Sequence, residues 1–128
     1  MIPIITHPER NVHLRRSLDD LARWVESGCY VQVTAGSFTG AFGKPARSTA
    51  AELVARGLVH VVASDAHDTV RRPPNLQAAY ERLANDWGEE TIRPLFVENP
   101  DAILRGEPID YELPAQRLKR RTWYRFWT

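Results

Sequence analysis

Three short runs rich in β-branched side chains constrain this chain more than any other feature: IPIIT at 2–6, CYVQVTAG at 29–36 and LVHVVA at 58–63. Segments with a helical period separate them. From about residue 13, Leu14, Leu18, Leu21, Ala22 and Val25 recur at three- and four-residue steps until Gly28 ends the pattern. A second helical segment covers 46–56 and is closed by Gly57, and further patterns cover about 75–87 and 89–97, with a turn of helix at 100–105 stopped by Gly106. The stretch GSFTGAFGKP at 36–45, with three glycines and a proline, reads as a loop. Strands alternating with helices imply right-handed crossovers and a parallel sheet, hence an α/β fold with about three parallel strands and flanking helices. A three-stranded parallel sheet has two unpaired edges and needs cover on both faces. The chain therefore reads as part of a larger barrel or sheet, or as one that forms a homo-oligomer.

Composition sets the scale. The 128 residues are 43% hydrophobic and 26% charged, which suits one domain with a modest core. A lone cysteine, Cys29, forms no internal disulfide and fits a reducing, cytoplasmic setting. No window approaches the ~18 apolar residues of a membrane span, and MIPIITHPER lacks the pattern of a secretion signal. The formal net charge of +1 hides an asymmetry: the tail 114–128, PAQRLKRRTWYRFWT, holds five of the 17 basic residues and no acid, so 12 basic residues face 16 acidic ones over 1–113. The expected organisation is accordingly a domain over 1–113 and a basic aromatic tail over 114–128. That tail suits a solvated helix pinned by aromatics; an anionic surface is the sharper alternative, and no nucleic-acid partner is expected.

In parallel α/β folds, functional groups collect at the carboxyl ends of strands, where the loops share one rim. The first strand ends in His7 and the third in Asp65 and His67, within HPER and SDAH. Strand alternation gives Val59, Val61, Ala63, Asp65 and His67 one parity, leaves His60 on the other, and puts Gln32 and Thr34 on a shared face of the second strand. Each motif alone has an ordinary explanation. An Asp after Ser64 suits a turn or cap, while Pro8 and Glu9 suit the first turn of a helix. Two such motifs at the same end of parallel strands point to a shared site. Two imidazoles and a carboxylate suit Zn, Mn or Fe. Arg10, one turn from His7, and Arg71 or Arg72 after SDAH could hold a phosphate by bidentate hydrogen bonds. Metal beside arginine points to phosphate-ester hydrolysis. His13 and His60 read as surface or packing residues.

HPER after a strand, QVTAGSFTGAFG, GLVHVVASDAH with a following arginine, and NPDAILRG together resemble the carboxyl-terminal half of the bacterial manganese-dependent tyrosine-protein phosphatases of the CpsB/CapC/YwqE type, PHP-domain metallohydrolases of capsule and exopolysaccharide loci. The likeness covers roughly 2–106. It implies a partial (β/α) barrel of the PHP type. By position it implies that His7, Asp65 and His67 are metal ligands, that Arg10 binds the substrate phosphate with Arg72 as a second contact, and that Arg10 and Asp65 belong to the catalytic set. The implied cofactor is Mn2+, or another divalent metal such as Fe, Zn or Co. The implied reaction is hydrolysis of phosphotyrosine on a protein, with the tyrosine kinase of the capsule locus as substrate partner.

The family pattern also includes an amino-terminal HxH motif, a following glutamate, and a further histidine and glutamate before HPER, none of which this sequence carries. Three ligands suffice for one weak site rather than a cluster of ions, so little activity is expected of this chain alone. Two other readings remain: another PHP phosphoesterase, with a histidinol-phosphate-like substrate, or a non-catalytic regulatory or interaction module using its sheet edges and tail.

Overall fold

The computed structural model describes residues 2–64 and 76–109. Three parallel strands, β1 (Ile4–Thr6), β2 (Tyr30–Thr34) and β3 (Val61–Ala63), form a sheet in the order β1-β2-β3. The register pairs Thr6 with Gln32, Gln32 with Val61, and Thr34 with Ala63. A 3-10 turn, Pro8–Arg10, follows β1 and leads into α1 (Val12–Arg15) and α2 (Leu18–Glu26). Between β2 and β3 lie α3 (Ala35–Phe38) and α4 (Lys44–Ala55), and α5 (Gln77–Trp87), α6 (Glu89–Phe96) and α7 (Glu98–Leu104) complete the described part. The chain is thus mixed α/β with three parallel strands among the described residues, as the alternating pattern implied. The boundary expected at 113 and the basic tail lie outside the described residues.

The sheet has two unlike faces because strand side chains alternate. Val31, Val33 and Val62 point one way and are essentially inaccessible. They join one core with Leu21 of α2, Phe38 of α3, Leu53 of α4, Leu83 of α5 and Ile92 and Leu95 of α6. Tyr30, Gln32 and Thr34 share the opposite face with Ile4 and Thr6 of β1 and with Val61 and Ala63 of β3, as the register requires. That face is less covered: Ile4 and Thr6 are exposed, and Tyr30, Gln32 and Ala63 are half-buried. The expected shared face of Gln32 and Thr34 is therefore present, and it is the less covered one.

Two segments differ from the sequence pattern. The helix expected from residue 13 is split, with α1 ending at Arg15 and Ser17 at φ −129°, ψ 48° starting α2. Leu14, Leu18 and Leu21 keep helical spacing across this break, so periodicity alone gives no sign of it. The loop expected at 36–45 contains the carboxyl part of α3, a single turn that buries Ala35 and Phe38. Burial of those two apolar groups outweighs the cost of a glycine inside one turn.

Among the described residues, no helix is long and apolar enough to cross a membrane.

Candidate functional site

The end of β1 is built by an abrupt change of direction. His7 has φ 38° and ψ 55°, the one non-glycine residue with positive φ among those described. Histidine tolerates this left-handed conformation better than most side chains, yet it remains an uncommon and mildly strained choice. The His7 N–H still donates to the Gln32 carbonyl at 2.7 Å, the last regular bond between β1 and β2. Continued parallel pairing would give the next bond, from Thr34 N–H to the His7 carbonyl. Instead that carbonyl accepts from Arg10 N–H at 3.1 Å and closes the 3-10 turn.

Glu9 fills the place that β1 vacates. Its Oε1 accepts from Thr34 N–H at 3.3 Å, and its side chain is fully buried. The backbone carbonyl of Glu9 accepts from the Arg15 guanidinium at 3.4 Å. A glutamate in the first turn of a short helix is ordinarily a solvated acid, and the sequence suggested no more than that. The structure makes it a bridge between the turn after β1 and the carboxyl end of β2. The signal was not local, since the partner backbone lies 25 residues away in sequence.

Arg10 is half-buried, with its guanidinium carbon 4.1 Å from the centroid of the Phe42 ring. HPER and the glycine-containing segment after β2 thus meet at the carboxyl end of the sheet. Buried Ser37 lies in that segment too, and its Oγ has no hydrogen-bond partner among the described residues.

His60 occupies the opposite end, one residue before β3. Its Nδ1 accepts from Val31 N–H at 3.0 Å, its ring lies 5.1 Å from that of Tyr30, and its carbonyl accepts from Asn99 Nδ2 at 2.7 Å. Burial lowers its pKa from the ordinary value to about 4, so the ring is neutral at pH 7. With Nδ1 engaged by the backbone, His60 is a packing residue, as expected from its parity. His13 is exposed on α1.

Of the residues singled out in the sequence, His7 and Arg10 fall within the described part and share one turn, whereas Asp65, His67, Arg71 and Arg72 lie outside it. The described end of β3, Ala63 and Ser64, is at the same carboxyl rim as His7 because the strands are parallel. Among the described residues, no group of three or more histidine, cysteine or acidic side chains is placed to hold a metal ion. His7 is therefore the single proposed ligand with a described position.

Residues 1–105 match the family model described as capsular polysaccharide synthesis, CpsB/CapC. The chain is 38% identical over 125 residues to the tyrosine-protein phosphatase YwqE of Bacillus subtilis, covering 98% of this chain and 48% of the relative. It is 35% identical over 112 residues to the tyrosine-protein phosphatase CpsB of Streptococcus pneumoniae, covering 84% of this chain and 46% of that protein. A solved structure from work on YwqE and CpsB, described as unique metal-dependent tyrosine phosphatases, superposes with a TM-score of 0.74 at 37% identity, over 83% of this chain and 42% of its own. The chain spans about half the length of the curated relatives it matches. With a family match over most of its length and a shared fold, the chain belongs to the CpsB/CapC family of capsular polysaccharide synthesis.

Proposed function

We propose that this chain contributes the carboxyl-terminal half of a metal-dependent protein-tyrosine phosphatase acting in capsule or exopolysaccharide synthesis. The observation that carries the reading is the turn at 7–10 itself: a histidine held in a strained conformation at a strand end, with an arginine one turn later on the same rim. The family's named tyrosine phosphatases supply the reaction class.

In this reading His7, Asp65 and His67 are the metal donors and Arg10, assisted by Arg72, binds the phosphate, with Arg10 and Asp65 in the catalytic set. The metal is Mn2+ or another divalent ion such as Fe, Zn or Co; bound here, it would polarise the phosphoryl group and lower the pKa of a water. Arg10 would orient the phosphate through charge-assisted hydrogen bonds. The substrate is a phosphotyrosine protein, the capsule-locus tyrosine kinase being the proposed one, and the setting is cytoplasmic. The three strands would form part of a PHP-type barrel, with the face bearing Gln32 and Thr34 turned to its interior. Because β1 is an edge strand of the described sheet, its outer edge suits a partner strand, either from the rest of such a barrel or from a second copy in a homo-oligomer. The domain over 1–113 would carry this chemistry and the segment 114–128 a separate basic tail.

The test joins the chain to the amino-terminal half of B. subtilis YwqE and measures Mn-dependent hydrolysis of a phosphotyrosyl peptide. Turnover that falls at least about 100-fold with His7→Ala or Asp65→Ala is expected, because loss of a charge-stabilising group commonly costs that much. The chain alone, with Mn2+, should release little product from p-nitrophenyl phosphate. Turnover in the chimera that is indifferent to His7 and Asp65 would overturn the reading.

A further inference from the structure

We propose that Phe42 is a positioning residue whose ring is the platform that aims the Arg10 guanidinium at a bound phosphate group. The proposal rests on the reading of Arg10 as a phosphate ligand and adds to it a residue from a different segment of the chain.

Arginine has a long side chain with much rotamer freedom, so a useful phosphate donor needs something to hold it. The Arg10 guanidinium carbon lies 4.1 Å from the Phe42 ring centroid, well within cation–π range. The ring attracts the guanidinium through its π electrons rather than through a carboxylate. The ring can therefore hold the guanidinium without adding a negative charge beside it. A carboxylate at the same place would also hold the side chain, but it would oppose a phosphate by charge.

The platform is itself held in place. A Cβ built on Gly36 would lie 3.2 Å from Phe42 Cε2 and 3.2 Å from Ala41 Cβ, so the segment folds back over a residue that has no side chain. The Gly36 carbonyl accepts from Ala41 N–H at 2.9 Å and from the Thr39 hydroxyl at 3.1 Å, which ties both sides of this fold-back together. Gly36 lies two residues past the carboxyl end of β2, and Arg10 sits on the turn after β1, so the ring joins neighbouring strand ends. Phe42 is half-buried and, among the described residues, lies outside the main hydrophobic cluster.

The experiment is an NMR titration of the full chain with inorganic phosphate at low ionic strength, following the Arg10 Nε–Hε signal. Its variants are Phe42→Leu, Phe42→Tyr, Arg10→Ala and the double variant Phe42→Leu/Arg10→Ala. Phe42→Leu should remove the ring-current shift of Arg10 and weaken phosphate binding about three- to fivefold, the scale of an exposed cation–π contact. Phe42→Tyr, which keeps the ring, should stay within about twofold of the parent. In the Arg10→Ala background, Phe42→Leu should have no further effect, because the ring acts through the arginine. Phe42→Met serves as the ringless variant should Phe42→Leu fail to fold. Unchanged affinity in the ringless variant, or an equal loss with and without Arg10, would overturn the platform while leaving Arg10 as a phosphate ligand. Phosphate binding indifferent to Arg10→Ala would instead overturn the reading of Arg10, and the platform with it.

Discussion

The two ends of the sheet each present a histidine, and the contrast between them separates a packing residue from the proposed site. Before β3, His60 is absorbed into the fold: the Val31 amide, the Tyr30 ring and Asn99 take up its imidazole and its carbonyl. After β1, His7 turns the chain out of the sheet in a left-handed conformation, Glu9 takes over the strand's missing hydrogen bond, and Arg10 lies over the Phe42 ring. One end satisfies its polar groups at no conformational cost. The other accepts strain and a buried carboxyl group to present a histidine and an arginine together. Strain and burial of this kind concentrate where a protein binds or reacts, because the rest of the fold must hold the arrangement against its own preference.

The largest expected effect sharpens this contrast from the His60 end. Folding lowers its pKa from 6.5 to about 4, so the unfolded chain binds the proton more readily. The stabilising contribution is complete above about pH 6.5 and is lost as the pH falls toward 4, by on the order of 2–3 kcal/mol. Urea denaturation between pH 7 and 4 should show that loss, and His60→Gln should flatten it. Metal or phosphate binding at pH 7 should not change in this variant.

At the other end, Glu9→Ala leaves the buried Thr34 amide without its acceptor and opens space beneath the turn. A loss of about 2 kcal/mol in stability is expected. Binding of inorganic phosphate should weaken as well, because the turn carrying Arg10 loses its anchor to β2. A Glu9→Ala protein as stable as the parent would mean that the bridge to β2 contributes nothing.

His7→Gly gives the smallest effect and the opposite sign. Glycine relieves the positive-φ strain, so stability should rise by about 0.5–1 kcal/mol while any metal affinity falls. A residue that costs stability where it stands, and whose removal costs binding, is the behaviour expected of a ligand rather than a packing group.

Much of the scaffold was legible in the sequence because it rests on local periodicity. The alternation of Val31 and Val33 with Gln32 and Thr34 gives the two faces of β2, and the spacing of apolar residues gives α4, α5 and α6 to within a few positions. The break at Ser17 left no trace, because Leu14 and Leu18 keep helical spacing on either side of a change in direction. The candidate site was read from residue types at strand ends, and of it the structure describes His7 and Arg10, on one turn. Its supports were not legible. Glu9 finds Thr34 across 25 residues, and Phe42 reaches Arg10 from the far side of a glycine-containing turn. Such contacts depend on tertiary closure, and neither period nor motif spacing encodes them.

The most direct measurement is paramagnetic broadening of backbone amide signals by a low concentration of Mn2+ added to the full chain. If His7, Asp65 and His67 form one site at the carboxyl rim, the broadening should centre on amides 6–10, 34–35 and 63–67, spare His60 and Val31, and disappear with Asp65→Ala. Broadening centred on the exposed acids of α2 or α6, or broadening at His7 that persists unchanged in Asp65→Ala, would contradict a shared site.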